Sequence, residues 1–241
     1  MGKNIIAQHR GRGGPRYLAP SHRYIGKVVY RKYDDLEKNN LIKGKVVDLI
    51  HDPGHSAPLA LIRYENGEKQ YILAPEGLST NHEIESGINA SPKLGNTLPL
   101  KSIPIGTLVN NIEQNPGDGG KYIRAAGTSA VIISRNEDKI TIQFPSKKLK
   151  ELDGMCRATI GVLSASGKKD KPFIKAGKRY YAMKAKNRLY PRTSAVKMNA
   201  VDHPFGSGRG KHIGKSKTPS RFAPPGAKVG LIGARRTGRR K

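Results

Sequence analysis

Short apolar-rich runs separated by turn-forming residues occupy the middle of this chain. The first set is Lys45-Val46-Val47-Asp48-Leu49-Ile50, Leu59-Ala60-Leu61-Ile62-Arg63-Tyr64 and Gln70-Tyr71-Ile72-Leu73-Ala74. Asp52-Pro53-Gly54 and Glu65-Asn66-Gly67-Glu68 stand between them, and Asn66-Gly67 flanked by apolar runs is a strong hairpin signal. A second set covers 105–112, 122–126, 130–135, 139–144 and 157–163. Short strands at this spacing, with little helical pattern, predict a mainly β chain built from small antiparallel barrels. The polar, breaker-containing stretch 86–95, just before Asn96-Thr97-Leu98-Pro99-Leu100, predicts the joint between two of them. Beyond about residue 164 the periodicity fades, so the packed core is expected to end there. One short helix is predicted over 178–188, a stretch of Ala, Met, Lys and Arg without Gly or Pro.

Charge sharpens this division. The 241 residues carry 45 Lys plus Arg against 18 Asp plus Glu, a net +27 that a compact monomer tolerates best beside a polyanion. Residues 1–36 hold +6, 37–160 only +1, and 161–241 fully +20. The near-neutral middle can bury a core, while the flanks have too little apolar content to offset the entropy of ordering. Residues 1–33 lack acids and mix Arg10, Arg12, Arg16 and Arg23 with glycines, prolines and Tyr17, Tyr24, Tyr30 and Tyr33. Such a segment suits guanidinium contacts to phosphates and rings stacked on bases. With a single cysteine, Cys156, neither a disulfide framework nor a multi-thiolate zinc site is possible within the chain, which fits a reducing compartment. The N-terminus has too short an apolar run for a signal peptide or membrane span, and Ile6 stands where a myristoylation signal wants Ser or Thr.

Few residues suggest catalysis. His51 and His55 have a metal-compatible spacing on a helix, but Pro53-Gly54 between them predicts a loop between strands. Gly214-Lys215-Ser216 resembles the end of a phosphate loop, yet Arg209 occupies the place of that motif's first glycine. Cys156 reads as a small core residue. Asp202-His203 could form an acid-oriented base, but no Ser or Cys is placed as a nucleophile. The competing reading has Asp202 accepting backbone hydrogen bonds in a turn and His203 contacting RNA.

Several of these segments, in order, resemble the universal large-subunit ribosomal protein family L-two, in its archaeal and eukaryotic branch. They include Gly11-Arg12-Gly13-Gly14, His51-Asp52-Pro53, Asn115-Pro116-Gly117-Asp118-Gly119-Gly120, Cys156-Arg157-Ala158-Thr159-Ile160-Gly161 and Met198-Asn199-Ala200-Val201-Asp202-His203-Pro204. The resemblance implies an OB-like barrel, then an SH3-like barrel, with extensions penetrating large-subunit ribosomal RNA. It further implies a place near the peptidyl transferase region, a contribution to subunit joining, and a role for the histidine matching His203. Where the bacterial pattern continues with a second histidine and a glycine run, this chain has Phe205 and Gly206-Ser207-Gly208.

The expected organisation is therefore a basic arm over 1–36, an OB-like barrel over 37–95, an SH3-like barrel over 96–170 and a basic extension over 171–241. RNA contacts are expected at Arg10, Arg12, Arg16, Arg23, Lys178, Arg179, Arg188, Arg192, Asn199, Asp202, His203, Arg209, Lys211, Arg221, Arg235 and Arg236. The expected partners are large-subunit ribosomal RNA, neighbouring ribosomal proteins and the small subunit at the interface. No membrane, no small-molecule substrate, no enzymatic activity and no cofactor are expected, apart from magnesium accompanying RNA. The expected location is the cytoplasmic ribosome. A general single-strand or chromatin-like binder and an Asp202/His203 enzyme are the rival readings.

Overall fold

The computed structural model describes residues 2–208 and 212–238. Its chain divides into a central unit, 21–172, and a second unit made from 1–20 together with 173–241. The central unit contains β1 (Leu41–Ile50), β2 (Leu59–Tyr64), β3 (Lys69–Leu73), β4 (Glu83–Gly87), β5 (Thr97–Pro99), β6 (Leu108–Asn110), β7 (Ala130–Asn136), β8 (Lys139–Gln143), β9 (Leu149–Asp153) and β10 (Arg157–Ile160). They join one sheet in the order β3-β2-β1-β4-β5-β10-β6-β7-β8-β9. Every pairing is antiparallel except β4 with β5, which meet in parallel at Ser86 and Thr97. The chain is thus mainly β.

Two apolar clusters lie on either side of that parallel contact. Ile42, Val46, Ile62, Ile72 and Ile84 form the first, and Leu98, Val109, Ile132, Ile140, Ile142 and Cys156 belong to the second. In β1 the burial alternates, Ile42 and Val46 facing in while Lys43 and Lys45 face solvent, which is the period of a half-buried strand. Each fully buried Ile or Leu contributes about 1.5–3 kcal/mol. Gly87 ends β4 at φ +142°, and an added Cβ would lie 2.3 Å from the Asn40 carbonyl oxygen, so only glycine closes this pairing. Cys156 is fully buried, and burial pushes its thiol up to about 12. Thiol-reagent labelling of the native protein should therefore proceed only as fast as the fold opens; rapid labelling of the folded state would contradict its burial.

Residues 21–36 depart from the expected arm. Val28, Tyr30 and Arg31 are buried in the central unit. The Ile25 N–H donates to Asp52 Oδ1 at 3.1 Å, Gln70 Nε2 donates to the Val29 carbonyl at 2.6 Å, and Val28 bridges Tyr71. Tyr30 cannot stack on a base as its composition suggested: its hydroxyl lies 2.7 Å from Thr159 Oγ1 in the interior, and burial raises the phenol above its ordinary range. The cause is pairing with partners 27 to 129 positions away, which local composition does not register.

Arg31 reaches the Asp34 carboxylate at 2.9 and 2.5 Å, and this contact holds the Asp34 carboxyl below the usual range. Asp34 in turn caps α2 (Asp35–Asn39) by accepting the Glu37 N–H at 3.1 Å. Glu37, fully buried, accepts Ser86 Oγ at 2.7 Å and Arg157 Nη1 at 2.5 Å. Arg157 also forks onto Glu113 Oε1, with Nη2 at 2.8 Å and Nε at 3.2 Å, and gives Nη1 to the Arg31 carbonyl at 2.9 Å. Burial alone would lower the Arg157 pKa, but Glu113 and Glu37 outweigh it and keep the guanidinium firmly charged.

The second unit also departs from expectation, since its two arms are not merely extended. Ile5, Phe205 and Val229 bury one another with Ala195, Val196 and Ile213 around them. These residues are scattered over both arms, so no single stretch looks like a core. The predicted helix is present as α3 (Ala176–Ala185), preceded in chain order by α1 (Ile6–Gly11). It starts earlier than expected, taking in Gly177. It ends where Asn187 adopts φ +53°, with Arg188 N–H bonded to the Met183 carbonyl at 2.8 Å and Asn187 N–H to that of Lys184 at 3.1 Å.

Candidate nucleic-acid interface

The candidate cations fall in both units. Arg23 lies exposed in a single turn, Ser21–Arg23, of the central unit. In the second unit, Arg10 lies in the last turn of α1, Arg12 and Arg16 follow the helix, and Lys178 and Arg179 stand on α3; all five are exposed. Arg188, Arg192, Arg221, Arg235 and Arg236 are exposed as well. Arg209 and Lys211 lie outside the described residues. Exposure leaves guanidinium and ammonium groups hydrated and able to exchange water for phosphate oxygens.

Some cations are engaged within the unit. Lys184 Nζ donates to the Pro15 carbonyl at 3.1 Å, fixing the N-terminal segment to α3. Arg179 lies 4.9 Å from the Tyr190 ring centre, and Arg10 reaches the Asn187 carbonyl at 3.5 Å. Reading the sequence missed Lys184, which orders its own chain, as well as Arg31 and Arg157, whose charge is internal. For Arg31 a local signal exists in the acids Asp34 and Glu37, one helical turn and two turns onward. For Arg157 the carboxylates are remote in sequence.

The segment Met198 to Ser207 folds back on itself. Asp202 and His203 N–H groups both bond to the Asn199 carbonyl, at 3.0 and 3.2 Å, and Ser207 N–H bonds to that of Met198 at 3.2 Å. Gly206 permits this closure, since a Cβ there would sit 2.4 Å from the Asn199 carbonyl oxygen. The Asp202 carboxylate stands 3.9 Å from Lys3 Nζ, while Lys3 N–H bonds to the Val201 carbonyl at 2.8 Å. His203 Nδ1 accepts the Phe205 N–H at 3.0 Å, and its ring lies 5.1 Å from the Phe205 ring. Burial lowers the His203 pKa and so favours the neutral imidazole, and with Nδ1 accepting the Phe205 N–H the proton is assigned to Nε2. That leaves one N–H donor, a group that can read an RNA oxygen or ring nitrogen. The Asp202 carboxylate thus meets Lys3, and the imidazole nitrogen that an orienting carboxylate would engage is taken by the Phe205 amide.

His51 and His55 lie in the loop between β1 and β2. His55 Nδ1 lies 2.5 Å from the buried Asp52 carboxylate. Among the described residues no three His, Cys, Asp or Glu side chains converge as a metal site, and no helix is long and apolar enough to cross a membrane.

Comparison with known proteins agrees with this picture. Residues 3–86 match the family model for the RNA binding N-terminal domain of ribosomal proteins L2, and residues 93–223 match the model for their C-terminal domain. A protein of Methanothermobacter thermautotrophicus named large ribosomal subunit protein uL2 is 53% identical over 241 residues, covering all of both chains. Proteins of the same name from Methanocaldococcus jannaschii and Methanococcus aeolicus are 53% identical over 242 residues and 52% identical over 240, again over the full length of both. With both domain models matched in order and relatives aligned end to end, this chain belongs to the ribosomal protein L2 family.

Proposed function

We propose that this protein is a structural constituent of the large ribosomal subunit, binding large-subunit ribosomal RNA from the cytoplasmic ribosome. The observation that carries the reading is the array of exposed arginines and lysines on the second unit, in a chain whose full length aligns with large-subunit proteins. In this reading 37–95 and 96–170 curl as OB-like and SH3-like barrels and serve as a platform. The basic residues of 1–23 and 171–241 supply phosphate contacts, Arg209 and Lys211 among them. The Asn199–His203 turn offers its neutral imidazole to RNA near the peptidyl transferase region, and the protein aids subunit association beside neighbouring ribosomal proteins. It acts without a cofactor of its own, any magnesium belonging to the folded RNA. It acts as a structural protein rather than an enzyme, a reading supported by Asp202 standing near Lys3 and by His203 Nδ1 being taken by a backbone amide.

Sedimentation tests this. The protein in cell extract should comigrate with large subunits and remain there after a high-salt wash, because many simultaneous contacts dissociate slowly. Recovery only in the light, ribosome-free fractions would overturn the proposal. So would equal binding to arbitrary DNA and to folded ribosomal RNA.

A further inference from the structure

Residues 37–160 are almost neutral by count, yet their charges are not evenly exposed. Glu37, Asp52 and Glu113 are buried, whereas Arg157 is the one buried cation of that segment. The surface left over is more basic than the count suggests, and one part of it is organised. Lys45 of β1 stands directly opposite Arg63 of β2, and Arg63 directly opposite Lys69 of β3. All three are exposed. Directly opposed side chains share a sheet face with Cβ atoms about 4.5–5.5 Å apart, a spacing at which like charges destabilise the sheet. Among the described residues none of the three forms an ion pair.

The adjoining row shows the ordinary arrangement. There Lys43 stands opposite Glu85 on one side, and Glu65 N–H bonds to the Lys43 carbonyl on the other, so charges alternate across the strands. The cationic row has a carboxylate only at its β4 end, where Glu83 is the partner of Lys45. An open groove passes over the Lys45 and Arg63 part of it, lined also by Lys43, Glu65 and Glu83. Its one aromatic lining residue, Tyr64, is buried in the core.

We infer that the outer face of β1, β2 and β3 seats a stretch of RNA phosphate backbone on Lys45, Arg63 and Lys69. This inference rests on the RNA-binding reading above and adds a contact surface on the central unit. Three cations spaced by strand separations of about 4.7–4.9 Å cover roughly 10 Å, enough to span neighbouring phosphates of one strand. The central guanidinium can fork onto phosphate oxygens while the flanking ammonium groups act as point charges. A polyanionic backbone needs only such charge. A protein partner would want an apolar or aromatic anchor pocket, and the groove offers none.

The test uses the full chain with Lys45→Gln, Arg63→Gln and Lys69→Gln combined, measured against folded large-subunit ribosomal RNA over a salt series. The slope of log affinity against log salt should become shallower by about two to three, and affinity near 100 mM salt should fall on the order of a hundredfold. The free variant should melt at or above the wild-type temperature, because mutual repulsion has been removed. A wild-type slope that is steep and unchanged in the variant would overturn this inference while leaving RNA binding intact. A wild-type slope near zero would instead remove the underlying reading. A lowered melting temperature would show that the cations serve the fold. Unchanged RNA binding with lost retention on polyglutamate would assign the face to an acidic protein, again overturning the inference.

Discussion

Raising monovalent salt from about 50 to 200 mM is expected to weaken the complex with large-subunit ribosomal RNA by roughly three to five decades, given about ten phosphate contacts. The expectation follows from release of condensed counterions: each phosphate neutralised by Lys or Arg frees cations into solution, and added salt opposes that release. Exposed side chains sufficient for such a number are present at Arg10, Arg12, Arg16, Arg23, Lys178, Arg179, Arg188, Arg192, Arg221 and Arg235. Because these cations sit on two units, variants should divide the slope between them. Replacing Arg188 and Arg192 by Gln should lower its magnitude by about two, with little change in preference among RNA sequences, since backbone contacts position without reading bases. Filter binding or calorimetry over a salt series measures it. A flat dependence would mean that apolar or base-specific contacts hold the complex, and the electrostatic account would fail.

Much of this was legible in the residues, for reasons that also explain what was not. Strands such as β1, β2, β7 and β8 announce themselves because they are apolar runs bounded by turn residues, with alternate side chains entering a core along part of β1, β7 and β8. Strand β9 buries only Leu152, and β5 has three residues including Pro99, so neither carries a periodic signal. The run 122–126 looked like a strand, but Ile123 adopts φ +52° and only Tyr122 bridges Ile112. The basic candidates were legible from composition because solvent exposure is the default for Lys and Arg. Partnership was not. Arg31, Arg157 and Tyr30 find partners through the fold, and the Lys45, Arg63 and Lys69 row exists only once the register of three strands is known. Phe205, which replaces a histidine of the bacterial pattern, fills the small core of the second unit, so its position is explained by packing rather than by chemistry.

Removing the Arg157 guanidinium is expected to be the most damaging single change to the central unit. In Arg157→Ala, Glu37 and Glu113 would remain fully buried, and each would lose its principal counter-charge. Glu113 would keep the Gly117 and Gly119 N–H donors at 3.1 and 2.9 Å, and Glu37 would keep Ser86 Oγ and Arg31 Nη1, the latter at 3.6 Å. Those contacts do not replace a fork that satisfies two carboxylates at once. Breaking a buried pair by deleting one partner costs about 3–5 kcal/mol. For a domain of about 150–250 residues, each kcal/mol shifts the melting temperature by about 2–4 °C, so a loss of roughly 6–20 °C is expected. Arg157→Lys should recover little, because one ammonium cannot reach Glu37, Glu113 and the Arg31 carbonyl with the geometry of a planar fork. Arg157→Met combined with Glu37→Gln and Glu113→Gln should be clearly more stable than Arg157→Met alone, because no charge is then stranded in the interior. Thermal melts of the free protein decide the matter. An Arg157→Ala variant within about 0.5 kcal/mol of wild type would mean that water reaches the two carboxylates and that the network does not hold residues 28–37 against β10.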